Sequence, residues 1–206
     1  MIAIIDYGVG NLFSLQSSLK RIGAEAIVTG DAQAIRAADR IILPGVGAFR
    51  DAADKLRAAG LDKVVCCEAA AGRPLLGICL GMQLLFDRST EYGEHRGLGL
   101  IPGSVEDLKA DIPEDLKVPH IGWNALRKTA AHPLLKYVSD RDCVYFVHSF
   151  YAKHCAESTI AVAEYGTEVT AAVARGNVMG CQFHPEKSGE VGLSILRAFC
   201  EWEEPA

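Results

Sequence analysis

The sequence has no pair of cysteines at C-x-x-C spacing, no G-x-x-x-x-G-K-[ST] loop, and no apolar run near the ~18 residues of a membrane span. The first absence, with an odd count of 7 cysteines and Cys66 beside Cys67, argues against a disulfide framework and a zinc knuckle. The second argues against P-loop nucleotide chemistry. Positive charge is also scarce: 21 Lys and Arg stand against 26 Asp and Glu, and no basic block is dense enough for nucleic acid or an anionic membrane surface. Met1–Asp6 lacks the basic stretch and long apolar core of a secretory signal, so a cytoplasmic protein is expected.

What is present is a chain rich in core-forming residues. Half of its 206 residues are hydrophobic, enough to bury a core without staples, and one domain spanning 1–206 is the expected organisation. Up to about residue 85, short apolar runs alternate with helical patterns. Strands are expected at Met1–Asp6, Ala26–Thr29, Arg40–Leu43 and Pro74–Ile78. Helices are expected from Leu12 to Ile22, from Asp31 to Ala38, over 49–59 and 61–71, and from Leu80 to Phe86. From Leu98 onward the pieces read as strands: 98–101, 105–108, 143–151, 159–165, 169–175 and 178–183, with hairpin turns at Gly166 and at Gly176-Asn177, and a closing helix near 191–202. The expected fold class is α/β: an open, mostly parallel, doubly wound sheet with an antiparallel extension in the second half.

Two motifs carry chemistry. Gly77-Ile78-Cys79-Leu80-Gly81 joins a strand to a helix and is the sulfur form of the nucleophile elbow, in which flanking glycines relieve crowding around a strained residue. By itself the pentapeptide is equally a core cysteine between packing glycines. Further along, Gln182-Phe183-His184-Pro185-Glu186 follows a strand-like run; in an extended chain residues 184 and 186 point to one side. A His as general base to Cys79, with a Glu orienting the imidazole, makes a Cys–His–Glu triad.

This pair of motifs resembles those of the class I (triad) glutamine amidotransferases. Narrower segments resemble the glutaminase-subunit family of imidazole glycerol phosphate synthases, in histidine biosynthesis. They are Asp6-Tyr7-Gly8-Val9-Gly10-Asn11-Leu12, Pro44-Gly45-Val46-Gly47-Ala48-Phe49, Gly77 to Phe86, Pro119-His120-Ile121-Gly122-Trp123-Asn124, Tyr145 to Phe150, and His184 to Ser188. The resemblance implies glutamine as substrate, no cofactor and no metal. Cys79 would be the nucleophile, His184 the proton shuttle and Glu186 its orienting partner. Gly45, Val46 and Gly47 would form an oxyanion strand, and Gln83, Glu91, His148, Ser149 and Phe150 would line the substrate, although the family more often has Tyr where Phe150 stands. It also implies a heterodimer with a (β/α)8-barrel cyclase that consumes the ammonia, docked around Asn11 and Trp123.

Competing readings remain at this point. The glutaminase subunit of another synthase, such as pyridoxal phosphate synthase, shares the triad, and a non-catalytic interaction subunit could share the fold. Gly8-x-Gly10 follows the first strand as a dinucleotide loop would, but Phe13 occupies the third glycine position. Cys181 and His184 have ligand-like spacing with no second pair to complete a metal site. Trp123 would be core by default; the resemblance makes it an interface residue.

Overall fold

The computed structural model describes residues 1–203. The first half builds β1 (Ile2–Ile5), α1 (Leu12–Arg21), β2 (Ala26–Thr29), α2 (Ala32–Ala37), β3 (Arg40–Leu43), α3 (Phe49–Ala58), α4 (Leu61–Ala70), β4 (Leu75–Ile78) and α5 (Leu80–Leu84). The remainder comprises β5 (Phe86–Ser89), β6 (His95–Arg96), β7 (Ile101–Asp107), β8 (His120–Lys128), β9 (Cys143–His148), β10 (Phe150–Lys153), β11 (Thr159–Glu164), β12 (Glu168–Arg175), β13 (Val178–Cys181) and α6 (Gly189–Cys200). A nine-stranded sheet runs in the order β2-β1-β3-β4-β13-β12-β11-β8-β9, and a four-stranded sheet in the order β10-β7-β5-β6. Neighbours from β2 to β13 are parallel; β13 to β9 are antiparallel. No helix among the described residues is long and apolar enough to cross a membrane.

The continuous apolar runs of the first half are explained by burial on both faces of the sheet. Along β1, Ala3 and Ile5 pack with Ile35, Phe49, Leu56 and Val65 of α2, α3 and α4. Ile2 and Ile4 pack on the opposite side with Leu15 and Leu19 of α1 and Ile195, Leu196 and Phe199 of α6. Asp31 caps α2 by accepting a hydrogen bond from the Ala34 amide at 2.8 Å. Both expected hairpins form, β11–β12 around Gly166 and β12–β13 around Gly176-Asn177.

Local boundaries depart from expectation in three places. The helix after Cys79 stops at Leu84 and Phe86 opens β5, because the Leu84 and Leu85 carbonyls are claimed by the amides of Leu98, Leu100 and Ile101 instead of a further helical turn. The strand expected over 98–101 therefore starts only at Ile101. The run 143–151 breaks at Ser149, whose carbonyl accepts from the Leu108 amide at 3.0 Å, so β9 and β10 belong to different sheets. The glycine, tryptophan and asparagine at 122–124 conceal a nine-residue strand, β8, which pairs with both β9 and β11.

Candidate active site

The register of β4 and β13 places the two chemical motifs side by side. Ile78 lies opposite Cys181 in this parallel pair, and the Cys79 amide donates to the Cys181 carbonyl at 2.8 Å. The residues just past each strand, Cys79 on one and Gln182 to Glu186 on the other, thus emerge at the carboxyl end of the sheet, where open α/β sheets bind ligands. Pro44, just past β3, emerges at the same end.

Cys79 has φ 54° and ψ −112°, a left-handed backbone rarely adopted by a side-chain-bearing residue. Its flanks show what holds it there. A Cβ on Gly81 would stand 1.8 Å from the Leu43 carbonyl oxygen, and one on Gly77 would stand 2.7 Å from the Gly81 oxygen and the Met82 backbone. Only hydrogen fits at either position. Cys79 is 7% exposed, on the wall of a cavity of about 410 Å3 that also includes Val46, Gly47, Gln83, Glu91 and His184.

His184 Nδ1 lies 2.8 Å from Glu186 Oε1, with both side chains 3% exposed. The pairing does not arise from an extended segment as expected: Pro185–Lys187 forms a single 3-10 turn, which folds Glu186 back beneath the imidazole. Burial works against a charge on His184, but the neighbouring Cys79 and Glu186 outweigh it and raise the imidazole to about 9. The imidazolium is thus favoured between the Cys79 sulfur and the Glu186 carboxylate. Cys181, fully buried in β13, is pushed well above the usual thiol range by burial, as Cys155 is raised by burial, so neither is disposed to form the nucleophilic anion.

The residues expected around a substrate converge on the same cavity. Gln83 Nε2 donates to the Phe150 carbonyl at 2.9 Å and to Gln182 Oε1 at 3.0 Å, leaving its own oxygen as the end free for a ligand. Glu91 Oε2 accepts from the Phe49 amide at 2.6 Å, which holds the carboxylate at the start of α3. His148 Nδ1 lies 3.0 Å from the Phe150 carbonyl, which can only accept, so that nitrogen carries the proton, and Nε2 lies 3.0 Å from His120 Nδ1. Burial, then the neighbouring His120, brings the His148 imidazole down to about 3, consistent with a neutral ring that orients backbone. His148, Ser149 and Phe150 all line the cavity.

Along the Pro44–Gly47 turn the two glycines serve different ends. Gly47 has φ 95° with open space around it, whereas a Cβ on Gly45 would meet the Gly81 amide at 2.8 Å. Gly45 is therefore set by close approach to the elbow, and Gly47 supplies the conformational freedom. Away from the cavity floor, Trp123 is 56% exposed, and Asn11 precedes α1 without capping it.

A family model described as glutamine amidotransferase class-I matches residues 3–201. The chain belongs to the class-I glutamine amidotransferase family. It is 52% identical over 97% of its length to the imidazole glycerol phosphate synthase subunit HisH of Bacillus cereus, covering 93% of that protein. With the protein of the same name from Lactococcus lactis it shares 48% identity, covering 97% of this chain and 98% of that one. Among solved structures, a crystal structure of a glutamine amidotransferase superposes with TM-score 0.76 at 20% identity, covering 98% of both chains. A structure of PurLQS from Thermotoga maritima superposes at 0.73 and 18% identity, covering 97% of both. These two support the fold alone.

In this amidotransferase several residues contribute to the site without a distinguishing sequence signal. Gln182, fully buried, points its Nε2 at Cys79 Sγ at 3.8 Å and its oxygen at Gln83. Pro119 and Lys187 line the cavity. Each stands inside a quoted motif, yet only the β4–β13 pairing and the break at Ser149 show which way it faces.

Proposed function

We propose that this chain is the glutaminase subunit of an imidazole glycerol phosphate synthase, a single cytoplasmic domain that hydrolyses glutamine and hands the ammonia to a (β/α)8-barrel cyclase in a heterodimer. The observation that carries the reading is the Cys79 elbow facing a buried His184–Glu186 pair across one cavity, in a chain about half identical to named subunits of that synthase.

Cys79 Sγ attacks the side-chain amide carbon, and the carbonyl oxygen becomes an oxyanion directed at backbone amides of the 45–47 turn. His184 delivers its proton to the departing nitrogen, which leaves as ammonia, and a thioester remains on Cys79. Water, giving its proton to His184, then attacks the thioester; glutamate leaves and the thiolate–imidazolium pair is restored. Glu186 holds the imidazole in the orientation both transfers need. Gln83 and Glu91 are placed for the polar groups of the substrate's amino-acid end, Glu91 for its ammonium, beside the 148–150 wall.

The test is glutamate release by the chain alone, with its cyclase subunit, and with the cyclase's nucleotide ligand added. Cys79→Ala is expected to abolish turnover in all three, while Cys181→Ala retains it; full activity in Cys79→Ala would falsify the mechanism.

A further inference from the structure

The Asp6-Tyr7-Gly8 segment closes β1, and the hydrolysis just described makes no use of it. Tyr7 is 7% exposed, and its hydroxyl donates to the Pro44 carbonyl at 2.8 Å, across 37 residues of sequence. The same oxygen lies 2.9 Å from the point where a Cβ on Gly45 would stand, and the Gly81 amide nitrogen lies 2.8 Å from that point. The phenol is thus wedged between the first peptide of the 44–47 turn and the start of α5, which carries the elbow. Burial, and then the nearby Cys79, push the phenol well above its ordinary range, so it remains a hydrogen-bond donor wherever the enzyme works.

A planar peptide held at its carbonyl is held at its amide as well, because the two lie on opposite edges of one rigid unit. Tying the Pro44 oxygen to Tyr7 therefore fixes the Gly45 N–H. Nothing comparable holds the rest of the turn. Val46 is 42% exposed, and Gly47 sits at φ 95° with no atom within 4 Å of a Cβ placed there. One end of the turn is anchored and the other is free.

We propose that Tyr7 is a positioning residue for glutamine hydrolysis: its hydroxyl anchors the Pro44–Gly45 peptide and confines reorientation of the oxyanion turn to the peptides between Gly45 and Gly47. The inference rests on the reading of that turn as the source of oxyanion donors. It follows that removing the hydroxyl releases a peptide that should stay still during turnover. Interactions realised only in the transition state then weaken, which lowers kcat and leaves KM nearly unchanged. Losing an oxyanion donor outright costs ~10²–10³ in rate; loosening its anchor is expected to cost about tenfold.

Tyr7→Phe removes a single oxygen and keeps the ring in the core. Glutamate release by the full chain with its cyclase subunit should show kcat lower by about tenfold, with KM within about twofold, and the 15N amide signal of Gly45 shifted or broadened. A residue that merely packs would move neither kcat nor that amide. An unchanged kcat, a loss confined to KM, or a fall in kcat with the Gly45 amide undisturbed would each overturn the proposal. The unsubstituted protein gives an independent check: the Tyr7 hydroxyl proton should be protected from solvent exchange, and a freely exchanging one also overturns it. Should Cys79→Ala retain turnover, the hydrolysis reading fails, while the amide and hydroxyl measurements still report whether the anchor exists.

Discussion

The parallel centre of the nine-stranded sheet and its antiparallel β8–β9 edge differ in what their strands leave uncovered. In β1, β4 and β13 every residue is buried, with helices closing both faces. Along β8 buried His120 and Leu126 alternate with outward residues, and Ile121 and Trp123 are 57% and 56% exposed. The first region can hold Cys79 in a strained conformation because the backbone around it has no room to relax. The second supplies what a sheet covered on both faces cannot: His148 on one wall of the cavity, and apolar side chains left exposed. Strain sits at the centre of the sheet and exposed apolar surface toward one edge.

Glycine substitutions test that division most severely. A methyl on Gly81 would fall 1.8 Å from the Leu43 oxygen, and both neighbours are backbone, so β3 and the elbow must separate. Gly81→Ala is expected to cost about 3 kcal/mol or more and to eliminate activity. Gly122 in β8 has φ 150° and nothing within 4 Å of a Cβ, so Gly122→Ala should cost only about 1 kcal/mol of backbone strain. Urea denaturation midpoints decide between them. Equal losses would mean that the parallel end is no more tightly constrained than the antiparallel one.

The same contrast explains what could be read from the sequence. The parallel half was legible because burial on both faces leaves continuous apolar runs, and the elbow was legible because Gly77 and Gly81 are a steric requirement written as residue types. β8 was not, since Gly122 and Asn124 obscure its alternation. The end of the helix at Leu84 was hidden as well, because it depends on carbonyls captured by Leu98 and Leu100, an event of tertiary pairing. The meeting of His184 and Glu186 was anticipated, but on the wrong backbone: a 3-10 turn brings them together, not strand alternation. Gln182 and Tyr7 were visible only as members of motifs; their directions come from the β4–β13 register and the Pro44 contact.

A smaller but sharper effect is expected at the rigid centre from the charge on His184. Burial lowers that imidazole, and Cys79 and Glu186 raise it beyond the loss, to about 9 against an ordinary 6.5. Because the folded value is the higher one, the stabilisation is fully present below about 6.5 and is lost as pH rises through about 9. The alkaline limb of kcat/KM should fall in that upper range. Glu186→Gln removes one of the groups holding the proton, so the limb should move to lower pH and kcat should drop by ~10²–10⁴, the range spanned by general acid–base catalysis. A limb that stays in place in Glu186→Gln would show that Glu186 does not act through His184.

The smallest change in the chain's own stability is expected at the open β8–β9 edge. The Trp123 indole meets Tyr145 edge-on, at 6.0 Å between ring centroids, and over half of its surface faces solvent. Trp123→Ala should therefore shift the unfolding free energy by no more than about 0.5 kcal/mol, the usual scale for a surface substitution. If β8 is the docking face, the same substitution should weaken cyclase binding by about 2 kcal/mol or more, close to thirtyfold in Kd, because exposed tryptophans in an apolar patch act as interface anchors. Ile121, neighbouring it on that outward face, should behave in the same direction with a smaller loss. Titration of the cyclase with each variant, beside a urea melt of the free chain, separates the two quantities. A large stability loss would place Trp123 with the core-forming residues of the first region. Unchanged affinity in both variants would move the partner off β8, and the comparison would then rest on the elbow alone.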